Sequence, residues 1–209
     1  MDSVNPLLPD GYSAVPAGKI ANVVTCLEML EKPATKRARA TESGLSIERW
    51  DHPDLGEYRA LFRAIGEEWM WFSRLVMPDE KLHAILTDPD VHVYTLMDGA
   101  RRIGLLELDF RKADECELAY FGLVSDAIGQ GAGRMLMNAA IAKAWEKPIK
   151  RFWVHTCHFD HPGALSFYQR SGFRPYAFMV EVTDDPRLTG QMGRDAARHV
   201  PLIEPRQGA

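Results

Sequence analysis

The sequence predicts an α/β (α+β) fold, a β-sheet flanked by helices, and three observations predict it. In the second half of the chain, segments of period-2 apolar alternation are interleaved with segments whose apolar residues recur at helical spacing. Asp98-Gly99, set between two alternating runs, is the strongest short hairpin signal. The run Ile128-Gly129-Gln130-Gly131-Ala132-Gly133-Arg134 joins a strand-like segment to an amphipathic helical one.

Each element follows in order. Residues 1–19, rich in Pro, Gly and small side chains, read as an irregular lead-in. Residues 20–29 read as an extra N-terminal strand with Val23, Val24 and Thr25 β-branched. Residues 31–43 read as a polar linker that holds Pro33 and a solvated Lys36-Arg37-Ala38-Arg39 cluster. A short strand is expected over 44–50. A helix is expected over 53–69, where Leu55, Tyr58, Leu61, Phe62 and Ile65 share one face, and another over 78–86.

Residues 91–97 and 103–111 form the predicted hairpin, and 117–124 a third strand of the meander. After the glycines, Leu136, Met137, Ala140, Ile141, Ala144 and Trp145 make an apolar stripe that Pro148 ends. A strand over 149–157, a Pro-initiated helix over 162–170 and a strand over 175–183 complete the order β-β-β-α-β-α-β. Residues 20–183 are thus expected to be one domain. Residues 184–209, with Pro186, Gly190, Gly193, Pro201 and Pro205, are expected to be an extended tail on the domain or on a partner subunit.

Composition limits the function. With 209 residues, 46% of them hydrophobic and 26% charged, the chain can bury one α/β core. Twenty-five basic against 29 acidic residues leave a formal charge of −4, which disfavours nucleic acid and anionic membranes as partners. The odd set Cys26, Cys116 and Cys157 lacks Cys-x-x-Cys spacing and fits reduced thiols. With no basic-then-apolar leader in the first residues and no long apolar run, a cytoplasmic enzyme is expected.

The glycine run carries the chemistry. Its glycines let the backbone approach a ligand, and a helix opening at Gly131 aims unpaired N–H groups and the positive end of its dipole at one point, which suits an anion. A dinucleotide fingerprint needs glycines at offsets 0, 2 and 5, whereas here they fall at 0, 2 and 4; a Walker loop needs Gly-Lys-Ser/Thr where this chain has Gly133-Arg134-Met135. Neither NAD nor ATP is favoured. A turn whose glycines only permit tight packing is the alternative reading.

Gly-x-Gly opening a helix, a strand some way on, and then Ala164-x-x-x-Tyr168-x-x-x-Gly172-Phe173 together resemble the GNAT superfamily of acyl-CoA-dependent N-acetyltransferases, over about residues 90–181. Two positions depart from the family pattern. Ile128 stands where the loop usually begins with Gln or Arg, with Gln130 a partial substitute, and His161, preceded by Asp160, stands where the family often has a cofactor-binding Asn.

The resemblance implies a GNAT-like three-layer fold, a mixed central sheet flanked by helices, in which the strands before and after the glycine loop splay to admit the pantetheine arm. It implies acetyl-CoA as co-substrate and a small-molecule or peptide amine as acceptor, attacked directly in a ternary complex. Gly129, Gln130, Gly131, Ala132, Gly133 and Arg134 would hold the pyrophosphate, His161 would touch the cofactor, and the backbone of Leu123 and Val124 would bind the carbonyl oxygen. Tyr168 matches the family's acid for the departing thiolate; a phenol with a pKa of about 10 is protonated at neutral pH. Glu117 is placed like the family's general base and by period-2 alternation shares a face with Ala119 and Phe121, with Glu107 in reserve.

Structural readings of the same residues stay open: Tyr168 as a core aromatic, Glu117 as a solvated strand-end charge, Arg134 as a solvated first-turn arginine. Glu68, Trp69 and Trp71, in the stretch Glu67–Phe72, are the expected acceptor pocket, or else simply pack a helix hairpin. His155, Cys157, His158, Asp160 and His161 lack a second ligand pair at zinc spacing, so no metal is expected, a metal-dependent hydrolase is disfavoured, and the segment reads instead as a loop lining the cofactor or acceptor pocket. A non-catalytic acyl-CoA-binding module is the alternative function, and a second copy of the chain is a candidate partner.

Overall fold

The computed structural model describes residues 7–33 and 44–205. Within them the apolar alternation resolves into seven strands: β1 (Lys19–Met29), β2 (Leu45–Arg49), β3 (Val91–Asp98), β4 (Arg101–Asp109), β5 (Glu115–Leu123), β6 (Arg151–Cys157) and β7 (Arg174–Asp184). The helices are α1 (Leu55–Gly66), α2 (Ser73–Val76), α3 (Asp79–Leu86), α4 (Ala132–Ala144) and α5 (Ala164–Ser171), with short 3-10 turns at Glu67–Trp69 and Ser125–Ala127. The linker cluster Lys36 to Arg39 lies outside the described residues.

All seven strands join one mixed sheet in the order β2-β3-β4-β5-β6-β1-β7. β1 is not an edge addition: it lies antiparallel between β6 and β7, with Cys26 and Leu27 fully buried. Ile20, Val24, Cys26, Leu27 and Met29 of β1 are buried, whereas Val23 is exposed.

Two helices lie on opposite faces of the sheet. A β-carbon on Gly122 would strike Ile65 of α1, whereas Leu123, the next residue, lies against Gly133 of α4; successive strand residues point to opposite faces. α1 begins at Asp54, whose side chain accepts the Glu57 amide at 3.0 Å, and buries Tyr58, Leu61, Phe62 and Ile65 at helical spacing. α4 buries Leu136, Met137, Ala140, Ile141 and Ala144. α2, four residues long, has no periodic signature; it delivers Arg74 to the core.

The face under α1 holds a buried ion pair. Glu107 on β4 is fully buried, accepts the Tyr58 hydroxyl at 2.6 Å and pairs with Arg74, whose guanidinium lies 5.0 Å from the centre of the Tyr120 ring. The group thus ties α1, α2, β4 and β5 together.

β4 and β5 slip register between Glu107 and Leu108: Glu107 faces Tyr120, but Leu108 faces Leu118, so Ala119 is an extra residue in β5. Such a bulge reverses the alternation on its strand. Glu117, opposite Asp109, therefore shares the α1 face with Glu107 and Tyr120, and the expected company of Ala119 and Phe121 is corrected.

Residues 185–205 fold back on the domain in turns rather than extending. Met192, Ala197 and Val200 form a second small core with Ile20, Met70 and Phe159. Arg187, 3% exposed, binds both oxygens of Asp185 and donates to the Val200 carbonyl at 2.8 Å. Among the described residues, no helix is long and apolar enough to cross a membrane.

Removing one member of a buried ion pair strands the other. Arg74→Met is expected to lower stability by about 3–5 kcal/mol in urea denaturation, and the double variant Arg74→Met/Glu107→Leu to recover most of that. A single-variant loss below about 1 kcal/mol, the range of an exposed pair, would contradict the assignment.

Candidate active site

β5 and β6 run parallel and pair at three positions, Glu115 with Arg151, Cys116 with Phe152 and Glu117 with Trp153, and then part. A cavity of about 790 Å³ occupies the gap, lined by Leu118–Leu123 of β5 and by Val154, His155 and Cys157 of β6. It opens on both faces of the sheet. Gly131, Arg134, Phe167 and Tyr168 line it on the α4–α5 side; Trp71, Tyr120 and His155 line it on the α1 side.

The glycine loop forms one end. Gly131 caps α4 at φ +86°, and Gly129 has φ +89°, a region in which L residues are strained. A β-carbon on either would meet no atom within 4 Å, so the glycines serve backbone shape and leave open space in front of it. The amides of Arg134 and Met135 donate to the Gly131 carbonyl. Those of residues 129–133 have no hydrogen-bond partner among the described residues, so five consecutive N–H groups are available to an anion.

Side chains of the loop divide. Arg134 lines the cavity, donates to Ser171 Oγ at 2.9 Å and lies 5.0 Å from the centre of the Phe167 ring, so it is tethered there rather than loose in solvent. Gln130 turns away, its Nε2 donating to the Asp126 carbonyl at 3.2 Å, and Ala132 is buried in the core. Neither residue lines the cavity, and the idea that Gln130 replaces the family's side chain at Ile128 is corrected.

Of the two residues expected to bind a carbonyl oxygen, the structure favours one. The Val124 amide donates to the Ile103 carbonyl at 3.0 Å, and its side chain is buried in the core. Val124 is therefore corrected: its donor is already used. Antiparallel alternation turns the Leu123 amide the other way, off β4 and toward the gap.

Tyr168 stands on the cavity wall, 7% exposed, ringed by Phe121, Phe167 and Phe173. Burial, and then the charge of Asp160, push its pKa well above the ordinary phenol value, which keeps it protonated. Asp160 organises the loop between β6 and α5: it accepts from Trp71 Nε1 at 3.1 Å, Thr156 Oγ1 at 2.6 Å and the Cys157 amide at 2.9 Å. His161 is on the wall, with Nδ1 accepting the Gly163 amide at 2.9 Å; that turn delays α5 to Ala164, two residues past the expected start.

Glu117 does not line the cavity, but His155 does. His155 lies two residues past Trp153, the register partner of Glu117, and its Nδ1 is 3.5 Å from Glu117 Oε1. Burial opposes the imidazolium, but the Glu117 carboxylate outweighs it and raises the His155 pKa above the ordinary histidine value. The sequence showed His155 only as a member of the His/Cys cluster; its role emerges from register. Glu107, the reserve base, is sealed in its ion pair with Arg74 and is corrected to a structural residue.

Trp69 and Trp71 line the cavity. Trp71 is wedged where β-carbons on Gly66 and Gly122 would come within 2.3 and 3.0 Å of its ring system. Glu68 is corrected: it is exposed and borders a smaller neighbouring cavity of about 610 Å³, because the 3-10 turn carries it outward. Among the described residues no group of three or more His, Cys, Asp or Glu is arranged to hold a metal ion.

Comparison with known proteins shows the family. The model of the acetyltransferase (GNAT) family matches residues 58–173, more than half the chain, and the chain belongs to that family. A protein of unknown function from Staphylococcus epidermidis shares the fold with a TM-score of 0.55 at 13% identity, over 80% of this chain and 64% of that one. The chain thus spans less than two thirds of that relative. A putative GNAT acetyltransferase from Novosphingobium aromaticivorans has a TM-score of 0.54 at 16% identity, over 82% and 68% of the two chains. An aminoglycoside acetyltransferase from an uncultured soil metagenomic sample has a TM-score of 0.50 at 23% identity, over 61% and 87%. At these identities the likeness is one of fold. Among curated proteins none matches the chain in sequence.

The His155–Glu117 pair has a signed pH dependence. A raised histidine pKa means the charged pair stabilises the fold below about pH 6.5, and that contribution fades as pH rises through the folded-state value. An NMR titration is expected to place His155 above about 6.5, and Glu117→Gln to bring it down. A titration unmoved by Glu117→Gln would remove Glu117 as the cause.

Proposed function

We propose that this protein is an N-acetyltransferase that moves the acetyl group of acetyl-CoA to the amine of a small molecule or peptide, by direct attack in a ternary complex. The observation that carries the reading is the run of five unpartnered amides, residues 129–133, at one end of a cavity that passes between two parted parallel strands. The site fits coenzyme A: the loop offers open backbone where a β-carbon would meet nothing, Arg134 adds a fixed positive charge, and the gap is long and mostly apolar.

When bound, coenzyme A supplies the acetyl group as a thioester. Amides 129–133 and Arg134 would hold the diphosphate on the α4–α5 side. The Leu123 amide would donate to the carbonyl oxygen as charge develops there. His155, with Glu117 behind it, would take one proton from the acceptor ammonium arriving from the α1 side, freeing the nitrogen lone pair to attack the carbonyl carbon. As the carbon–sulfur bond breaks, the Tyr168 hydroxyl would give its proton to the leaving thiolate, and the second proton shed by the acylated nitrogen would return the phenolate to its neutral form. Donor and acceptor thus enter from opposite faces of the sheet and meet where β5 and β6 separate.

A binding module without catalysis would need the loop and the gap but not a protonated phenol on the gap wall; Tyr168 favours the enzyme. Release of free thiol from acetyl-CoA over an amine panel tests the function. Tyr168→Phe is expected to lower kcat by about a hundredfold or more while leaving coenzyme A affinity and stability unchanged. Full turnover in that variant would make Tyr168 structural, and coenzyme A binding with no thiol release on any amine would favour the module.

A further inference from the structure

The cavity has a third wall that acetyl transfer does not use. Asn22 on β1 and Glu181 on β7 are register partners, and both line the cavity on the α1 side. Asn22 Nδ2 donates to Glu181 Oε2 at 2.9 Å. A carboxylate only accepts, so this bond fixes which end of the Asn22 amide is nitrogen and leaves Oδ1 as the other end. Asn22 is 3% exposed, and its buried Oδ1 has no hydrogen-bond partner among the described residues. Because Oδ1 is itself covered, what the pair turns to the cavity is the Glu181 carboxylate, steadied by the Asn22 amide.

Charge along the cavity points the same way. Arg134, Arg170 and the open amides lie at the cofactor end; Glu181 and Asp160 lie toward the other, where Asp160 is already occupied by three donors. Glu181 holds one donor, Asn22 Nδ2, and is exposed to the cavity. In the order β5-β6-β1-β7 it sits three strand steps from β5, two of them paired spacings of roughly 4.8 Å and one the opened gap, so more than about 14 Å between backbones. A cation at Glu181 is therefore not the nitrogen being acetylated beside Leu123 and Tyr168.

We propose that Glu181 and Asn22 form a subsite for a second, non-reacting ammonium group, so that the acceptor is an extended amine carrying at least two positive charges. The proposal rests on the acetyl-transfer reading for the position of the reacting nitrogen. Glu181 supplies the charge, and Asn22 holds the carboxylate in place.

Calorimetric titration of the full chain, first with coenzyme A and then, coenzyme-saturated, with two amines tests it. The amines are the unbranched eight-carbon α,ω-diamine and octylamine, alike in length and unlike in charge. Glu181→Gln is expected to weaken the diamine about fivefold, the scale of a partly exposed ion pair, and to leave octylamine unchanged, with melting temperature as the check on folding. Glu181→Asp, which keeps the charge, is expected to retain part of the diamine's advantage. If the diamine loses no more than octylamine, or does not bind the loaded wild-type protein, the subsite is refuted while acetyl transfer stands. If coenzyme A itself does not bind, both fall.

Discussion

The parting of β5 from β6 after three paired residues is the constraint on which the rest depends. Parallel strands in a covered sheet ordinarily pair along their length, because a buried N–H or C=O without a partner is costly. Here the chain leaves β5 unpaired on one side from Leu118 onward, and that edge faces a cavity instead of a strand. The arrangement persists because both flanks are held independently. β5 keeps its antiparallel ladder with β4, and β6 keeps six register pairs with β1.

Each device near the gap can be understood as holding it open. The Ala119 bulge turns Tyr120 toward α1, where its ring meets Phe62, Trp71 and the Arg74 guanidinium. Arg74 in turn neutralises Glu107, which would otherwise be an uncompensated charge in the core. Across the gap, Asp160 fastens the end of β6 to Trp71. The gap is thus a frame braced from both strands, and the glycine loop is fixed at its rim by the start of α4.

Much of this was legible in the sequence, and the failures share one cause. Helices with regular apolar spacing, the Asp98-Gly99 hairpin and the glycine loop are local features, and the structure places them within a few residues of expectation. The family resemblance supplied the splayed strands. Glu117 went wrong because one extra residue, Ala119, reverses alternation, and nothing in Glu115–Leu123 marks the bulge. Val124 and Gln130 went wrong because hydrogen-bond commitments depend on partners elsewhere in the chain, Ile103 and Asp126. Asn22 and Glu181 are invisible as site residues in the sequence because only the sheet order, with β1 inserted between β6 and β7, brings them to the cavity wall, whereas His155 is legible there as a member of the His/Cys cluster but not as the partner of Glu117.

Amide hydrogen exchange with and without coenzyme A measures the central claim most directly, since it reads the backbone donors one by one. Amides in residues 129–133 are expected to exchange freely in the unliganded protein and to slow when coenzyme A is added, while Val124, already bonded to Ile103, is protected in both states. Unchanged exchange across 129–133 in a coenzyme-saturated sample would contradict it.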